Sequence, residues 1–102
     1  MDTVDEQELR TALANRLSQW KHAGKTLERQ FEFPDFRVAM GFINQVAEKA
    51  EEMNHHPDIT ISYNKVKMSL SSHDAGGITR RDLMLAGKIN ELAPQWERRK
   101  SA

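Results

Sequence analysis

An imidazole can give up a proton and take one back near neutral pH, which makes histidine the side chain best suited to general acid–base work. Three of the four histidines of this 102-residue chain, His55, His56 and His73, fall within or just beyond one run, Glu51-Glu52-Met53-Asn54-His55-His56-Pro57. Tyr63 and Asp82 extend the set of polar side chains around it. The run lies where a helical pattern ends and an alternating pattern begins, a boundary that mounts reactive groups on rigid supports. Two chemistries suit convergent imidazoles: proton transfer, and a three-histidine metal site. Spacing argues against the second. Adjacent residues on an extended chain point to opposite sides, so His55 and His56 do not easily reach one ion. The His-x-His and His-x3-His spacings are also absent, and no metal is expected.

The elements that must position these residues follow from periodicity. Thr3-Val4-Asp5-Glu6 reads as a capping box with Thr3 at the N-cap. Leu9, Ala12, Leu13, Leu17 and Trp20 then recur at helical spacing, predicting a helix over about 4–18 and a short strand or turn over 19–24, with Gly24 as a stop. From Lys25 to Phe33 the pattern alternates, with Leu27, Phe31 and Phe33 on one parity and Glu28, Gln30 and Glu32 on the other, as in a half-buried strand. Arg29 sits on the apolar parity, which implies a sheet edge or a stem laid over apolar surface. An edge position would make this strand a candidate subunit contact.

Asp35 is a good N-cap for a second helix over about 36–53. Its apolar face carries Phe36, Ala39, Met40, Ile43, Val46, Ala47, Ala50 and Met53. Pro57 cannot continue it and biases His56 away from the α region. Asp58 to Ser72 reads as a hairpin. A turn centred on Asn64-Lys65 pairs Tyr63 with Val66, Ile61 with Met68 and Ile59 with Leu70, so that apolar always meets apolar. After the Gly76-Gly77 break, Thr79 is an N-cap with Asp82 at N3. The third helix runs to about 93, limited by Pro94, and Trp96 to Ala102 is expected to fray. The fold class is α+β, one domain over 1–102: a small antiparallel sheet with three helices on one face.

Carried outward, that register sets Asp58 opposite Ser71 and His56 opposite His73, with backbones roughly 5–8 Å apart. Parity places His56 and His73 away from Ile59, Ile61, Met68 and Leu70, on the open side or a rim. His55 approaches from the helix terminus. Three imidazoles from two segments are thus expected around one cleft. Asp82 is better read as a helix cap than as a catalyst.

Composition bounds the alternatives. Lys+Arg and Asp+Glu number 15 each, so no global field favours nucleic acid, and Arg98-Arg99-Lys100 is only a local basic patch. Near-zero net charge also leaves self-association unopposed. The absence of cysteine excludes disulfides, thiolate catalysis and Cys-ligated zinc. No apolar run approaches the roughly 20 residues that span a bilayer. The N-terminal stretch is acidic and lacks the apolar segment of a secretory signal, so a cytoplasmic address is expected.

The run Glu51-x3-His55-His56-Pro57-x5-Tyr63-x9-His73-x8-Asp82 resembles the signature of the pterin-4a-carbinolamine dehydratases. The flanks Phe31-x-Phe33-x-Asp35-Phe36, Gly41-Phe42, Tyr63-Asn64-Lys65-Val66 and Ser71-x-His73 are similar too, so the resemblance covers roughly residues 9–96. It implies dehydration of 4a-hydroxytetrahydropterin to quinonoid dihydropterin, in recycling the cofactor of aromatic amino-acid hydroxylases. It implies His55, His56 and His73 as catalytic and binding residues, with Glu51, Asn54, Ser71, Ser72 and Asp74 around the pterin. It implies no metal or organic cofactor, and a homodimer or homotetramer; composition adds the expectation of no membrane and no direct nucleic-acid contact. Some members also serve as dimerisation cofactors of a transcription factor, so a non-catalytic interaction module is the competing reading. The chain departs from the animal pattern at Asn54, where aspartate is frequent, and at Ile59, where tryptophan is common.

Overall fold

The structure is a computed structural model that describes residues 2–100. In chain order the elements are α1 (Glu6–Ala14), β1 (Lys21–Ala23), β2 (Thr26–Glu32), α2 (Phe36–Met53), β3 (Asp58–Ser62), β4 (Lys65–Leu70) and α3 (Arg80–Glu97). The four strands form one antiparallel sheet in the order β1-β2-β4-β3, so the fold class is α+β as the sequence predicts. Among the described residues no helix is long and apolar enough to cross a membrane.

Strand alternation turns Leu27 and Phe31 of β2 and Val66, Met68 and Leu70 of β4 into the core. There they meet Val38, Ala39, Phe42, Val46 and Ala50 of α2, and Leu83, Leu85, Ala86, Ile89 and Ala93 of α3. Phe42 is fully buried, its ring centroid 5.0 Å from that of Phe31 and 4.8 Å from that of Phe33. Burying a side chain of this size stabilises by about 1.5–3 kcal/mol. The strongest sequence pattern is also the most faithful: α2 starts and ends as predicted, with Asp35 accepting from the Val38 N–H at 2.9 Å.

Four expectations change. First, α1 is capped by Asp5, which accepts from the Glu8 N–H at 2.8 Å, and not by Thr3. The Val4 N–H is held by the Ile78 carbonyl, which keeps that segment extended. The helix also stops at Ala14, and Gly24 (φ 61) serves the β1–β2 turn instead. Second, β2 is an edge strand over only part of its length: β1 pairs with residues 26–28, and residues 29–32 keep one open side. Arg29, on that open half, lays its guanidinium 4.3 Å from the Phe31 ring centroid and donates to Asn90 Oδ1 at 2.5 Å.

Third, the hairpin turns one residue earlier, which slides the pairing by two. Ile59 pairs with Met68 and Ile61 with Val66, around a turn of Tyr63 and Asn64. Tyr63 takes the left-handed conformation (φ 54) and is exposed. Asn64 is committed elsewhere: its Nδ2 donates to the Phe33 carbonyl and its carbonyl accepts from the Phe33 N–H, both at 2.9 Å. Fourth, α3 continues through Pro94 to Glu97. Proline removes one N–H from the ladder, but Trp96 packs closely against Gly41 and donates to Gln45 Oε1 at 2.6 Å. The Arg99 guanidinium lies over that ring, 3.7 Å from its centroid.

Candidate active site

The site begins where α2 ends. Asn54 adopts the left-handed conformation (φ 50, ψ 44), one that asparagine tolerates better than most residues. Its N–H reaches back to the carbonyls of Ala50 and Glu51, and the His55 N–H bonds to the Ala50 carbonyl at 3.0 Å. This wrap turns the chain inward. His55 is only 7% exposed, whereas its neighbour His56 remains open to solvent.

The partner of His55 is Asp82, which is completely buried. One carboxylate oxygen meets His55 Nε2 at 2.5 Å. The other accepts from the Thr79 N–H at 2.8 Å and the Ser72 hydroxyl at 2.9 Å. The Ser72 and Thr79 hydroxyls lie 2.8 Å apart, and the Arg81 N–H donates to Thr79 Oγ1 at 3.3 Å. With Ser72 donating to Asp82, a directed chain runs from the Arg81 amide through Thr79 and Ser72 to the carboxylate, and such chains polarise one another. With Asp82 ionised both of its oxygens accept, and the proton between the pair then belongs to His55 Nε2. A neutral ring then carries its lone pair on Nδ1.

His73 and Asp74 project from the loop joining β4 to α3. The Ser72 N–H bonds to the Gly77 carbonyl at 2.8 Å and the Gly76 N–H to the Ser72 carbonyl at 2.9 Å. Gly76 (φ 76) supplies the left-handed residue that this tight reversal needs. His73 is exposed, and its side chain makes no hydrogen bond among the described residues. The Asp74 carboxylate is paired with Arg81, which holds its pKa below the usual carboxylate range. On the α2 side, His56 Nε2 meets Glu51 Oε2 at 2.5 Å. Both partners are largely exposed, so this contact orients the ring and adds little stability.

The predicted residues thus sort into distinct places. His55 and Ser72 meet on Asp82, and His73 follows Ser72 directly in the chain. His56 pairs with Glu51, and Asp74 with Arg81. Asn54 is exposed and serves as the helix cap, and Ser71 is half-buried just beyond β4. The pairing of His56 with His73 through the hairpin fails. The ladder ends at Asp58 and Ser69, and its continuation would set His56 opposite Ser71. The link between the two segments is instead Asp82, a helix cap as predicted and a histidine partner as well. No periodicity joins positions 55 and 82; the only hint was the presence of Asp82 in the same motif. Among the described residues no three His, Asp or Glu side chains are grouped so as to hold a metal ion. A separate groove of about 810 Å³ runs along α1, lined by residues such as Glu8, Thr11 and Arg16, and contains none of these histidines.

The family model described as Pterin 4 alpha carbinolamine dehydratase matches residues 2–92. A protein of Koribacter versatilis named "putative pterin-4-alpha-carbinolamine dehydratase" is 49% identical over 92 residues, covering 90% of this chain and 97% of its own length. A protein of the same name from Sulfurisphaera tokodaii is 48% identical, covering 90% and 98%. Among solved structures, a transcriptional coactivator/pterin dehydratase from Brucella melitensis superposes with a TM-score of 0.85 at 35% identity, over 90% of this chain and 99% of that one. A pterin dehydratase-like protein identified as a RuBisCO assembly factor in the alpha-carboxysome shares the fold, with a TM-score of 0.64 at 24% identity over 74% of this chain and 90% of that one. The chain belongs to the pterin 4 alpha carbinolamine dehydratase family.

Proposed function

We propose that the chain is a dehydratase that converts 4a-hydroxytetrahydropterin to quinonoid dihydropterin and water. The observation that carries this reading is Asp82, whose two oxygens hold His55 on one side and the Ser72–His73 loop on the other. The reaction takes a proton from N5, forms the N5–C4a double bond and expels the 4a-hydroxyl, which leaves as water once it is protonated. No electron acceptor is needed. One neutral and one protonated imidazole balance the step, each worth typically about 10²–10⁴-fold. In this reading His73, exposed and unpartnered, is the acid, with His56 as its neighbour against the ring. His55 works through Nδ1 as the assisting base, since Nε2 is committed to Asp82. Asn54, Ser71, Ser72 and Glu51 frame the bicycle.

The same reading carries a cytoplasmic homodimer or homotetramer that serves an aromatic amino-acid hydroxylase. The second reading, an interaction module without catalysis, has one support: the Brucella relative carries "transcriptional coactivator" in its name. Turnover of chemically generated 4a-hydroxytetrahydropterin separates the two. Wild type accelerates quinonoid formation and the His55→Ala/His73→Ala double variant does not. Equal rates in the two proteins refute the catalytic reading.

A further inference from the structure

His73 sits between two tethers. The residue before it, Ser72, donates to Asp82 Oδ2 at 2.9 Å, and the residue after it, Asp74, accepts from Arg81 Nη2 at 2.9 and 3.1 Å, one bond to each oxygen. Both tethers end on the first turn of α3, where Arg81 directly precedes Asp82. Asp74 is therefore occupied on both oxygens by the protein itself. The Arg81 backbone N–H bonds to Thr79 Oγ1, whereas its side-chain Nε is the one buried side-chain donor without a partner among the described residues. A buried, unpaired donor is unfavourable, and Asp74 is the group that retains the guanidinium in this position.

We propose that Asp74 is a positioning residue: its pair with Arg81 holds the Ser72–Gly77 loop against α3 and so fixes the His73 imidazole relative to His55, without contacting the pterin. This assignment rests on the dehydratase reading for its kinetic consequence, though not for its structural one. The Asp74 side chain is 64% exposed, and exposed ion pairs contribute little to global stability. The effect belongs in alignment, where a small displacement of a reacting group costs rate.

The experiment compares wild type with Asp74→Asn, Asp74→Glu and the exchange Asp74→Arg/Arg81→Asp. Asp74→Asn is expected to lower kcat about tenfold with KM and melting temperature nearly unchanged. Asp74→Glu, which keeps the charge and the pairing, is expected to restore most of kcat, and the exchange part of it. A rise in KM at unchanged kcat assigns Asp74 to ligand binding and overturns the proposal, as does an unchanged kcat. Amide hydrogen exchange supplies the arm that needs no substrate: Asp74→Asn is expected to speed exchange at Ala75, Gly76 and Gly77. Unaltered exchange there overturns the proposal whether or not wild type turns over the pterin. Failure of wild-type turnover alone overturns the reaction and leaves the tether to be decided by exchange.

Discussion

Replacing Asp82 with asparagine tests the arrangement of the site with a change of one atom type. The buried carboxylate accepts from Thr79 and Ser72 on one oxygen and from His55 on the other. Two donors on the first oxygen fix which way an amide would lie: its carbonyl stays with Thr79 and Ser72, and its NH2 replaces the oxygen facing His55. Two hydrogen bonds survive in weaker, uncharged form, and the third reverses. Hydrogen bonds to charged groups contribute about 1.5–3 kcal/mol against about 0.5–1.5 for neutral ones, so the two weakened bonds amount to roughly 2–3 kcal/mol. At about 4–8 °C per kcal/mol for a domain of this size, the melting temperature falls by roughly 10–20 °C and the fold persists at room temperature. The larger effect is on the imidazole. An NH2 facing Nε2 demands a lone pair there and drives the ring proton to Nδ1, the nitrogen proposed to act as base. A tautomer error of this kind costs about 10²–10⁴-fold in kcat. Turnover of 4a-hydroxytetrahydropterin beside nitrogen-15 spectra of the His55 ring reads both effects. A folded variant with wild-type kcat, or a wild-type ring protonated on Nδ1 when neutral, refutes the reasoning.

Two further outcomes follow from contacts described above. A methyl at Gly41 would stand 2.7 Å from Trp96 Cη2, so Gly41→Ala displaces the ring. Overpacking costs about 1–3 kcal/mol against a helix-propensity gain of about 1. Calorimetry is expected to give a lowered melting temperature, with a red shift in tryptophan emission; a raised melting temperature contradicts the packing. Asp74 titrates below the ordinary carboxylate range because of the hydrogen bond from Arg81. A depressed folded pKa means the pairing's contribution is complete above the ordinary value of about 3.9 and disappears as pH falls through the lower one. Carbon-13 titration of the Asp74 carboxyl is expected to show this, and Arg81→Gln to return it toward the ordinary value; an unaltered titration in that variant refutes the pairing.

Much of the frame was legible because α2 repeats an apolar face over 18 residues and β2 alternates except at Arg29. The hairpin register was not. Sliding β3 by two residues leaves every side chain on the same face, so alternation cannot distinguish the two pairings. The choice fell to the Asn64–Phe33 hydrogen bonds, a contact between distant segments. The end of α3 was hidden for a similar reason: Pro94 argues locally for a stop, and Gly41 and Gln45, on another helix, outweigh it. At the site, the histidines were visible by type and spacing, and the hairpin register expected to pair His56 with His73 is not the one formed. Sheet pairing does not join the two segments; the buried Asp82 carboxylate links His55 to Ser72, and burial of a single Asp leaves no periodic trace.

The carboxylate that opens α3 is also the hook for His55, so the protein's heat tolerance as a working machine is set locally. Warming or mild denaturant that melts only the opening turn of α3 would unhook the imidazole while the aromatic cluster around Phe42 stayed intact. Inactivation would then run ahead of the loss of circular dichroism, and added ligand would shield that one turn far more than the rest of the chain.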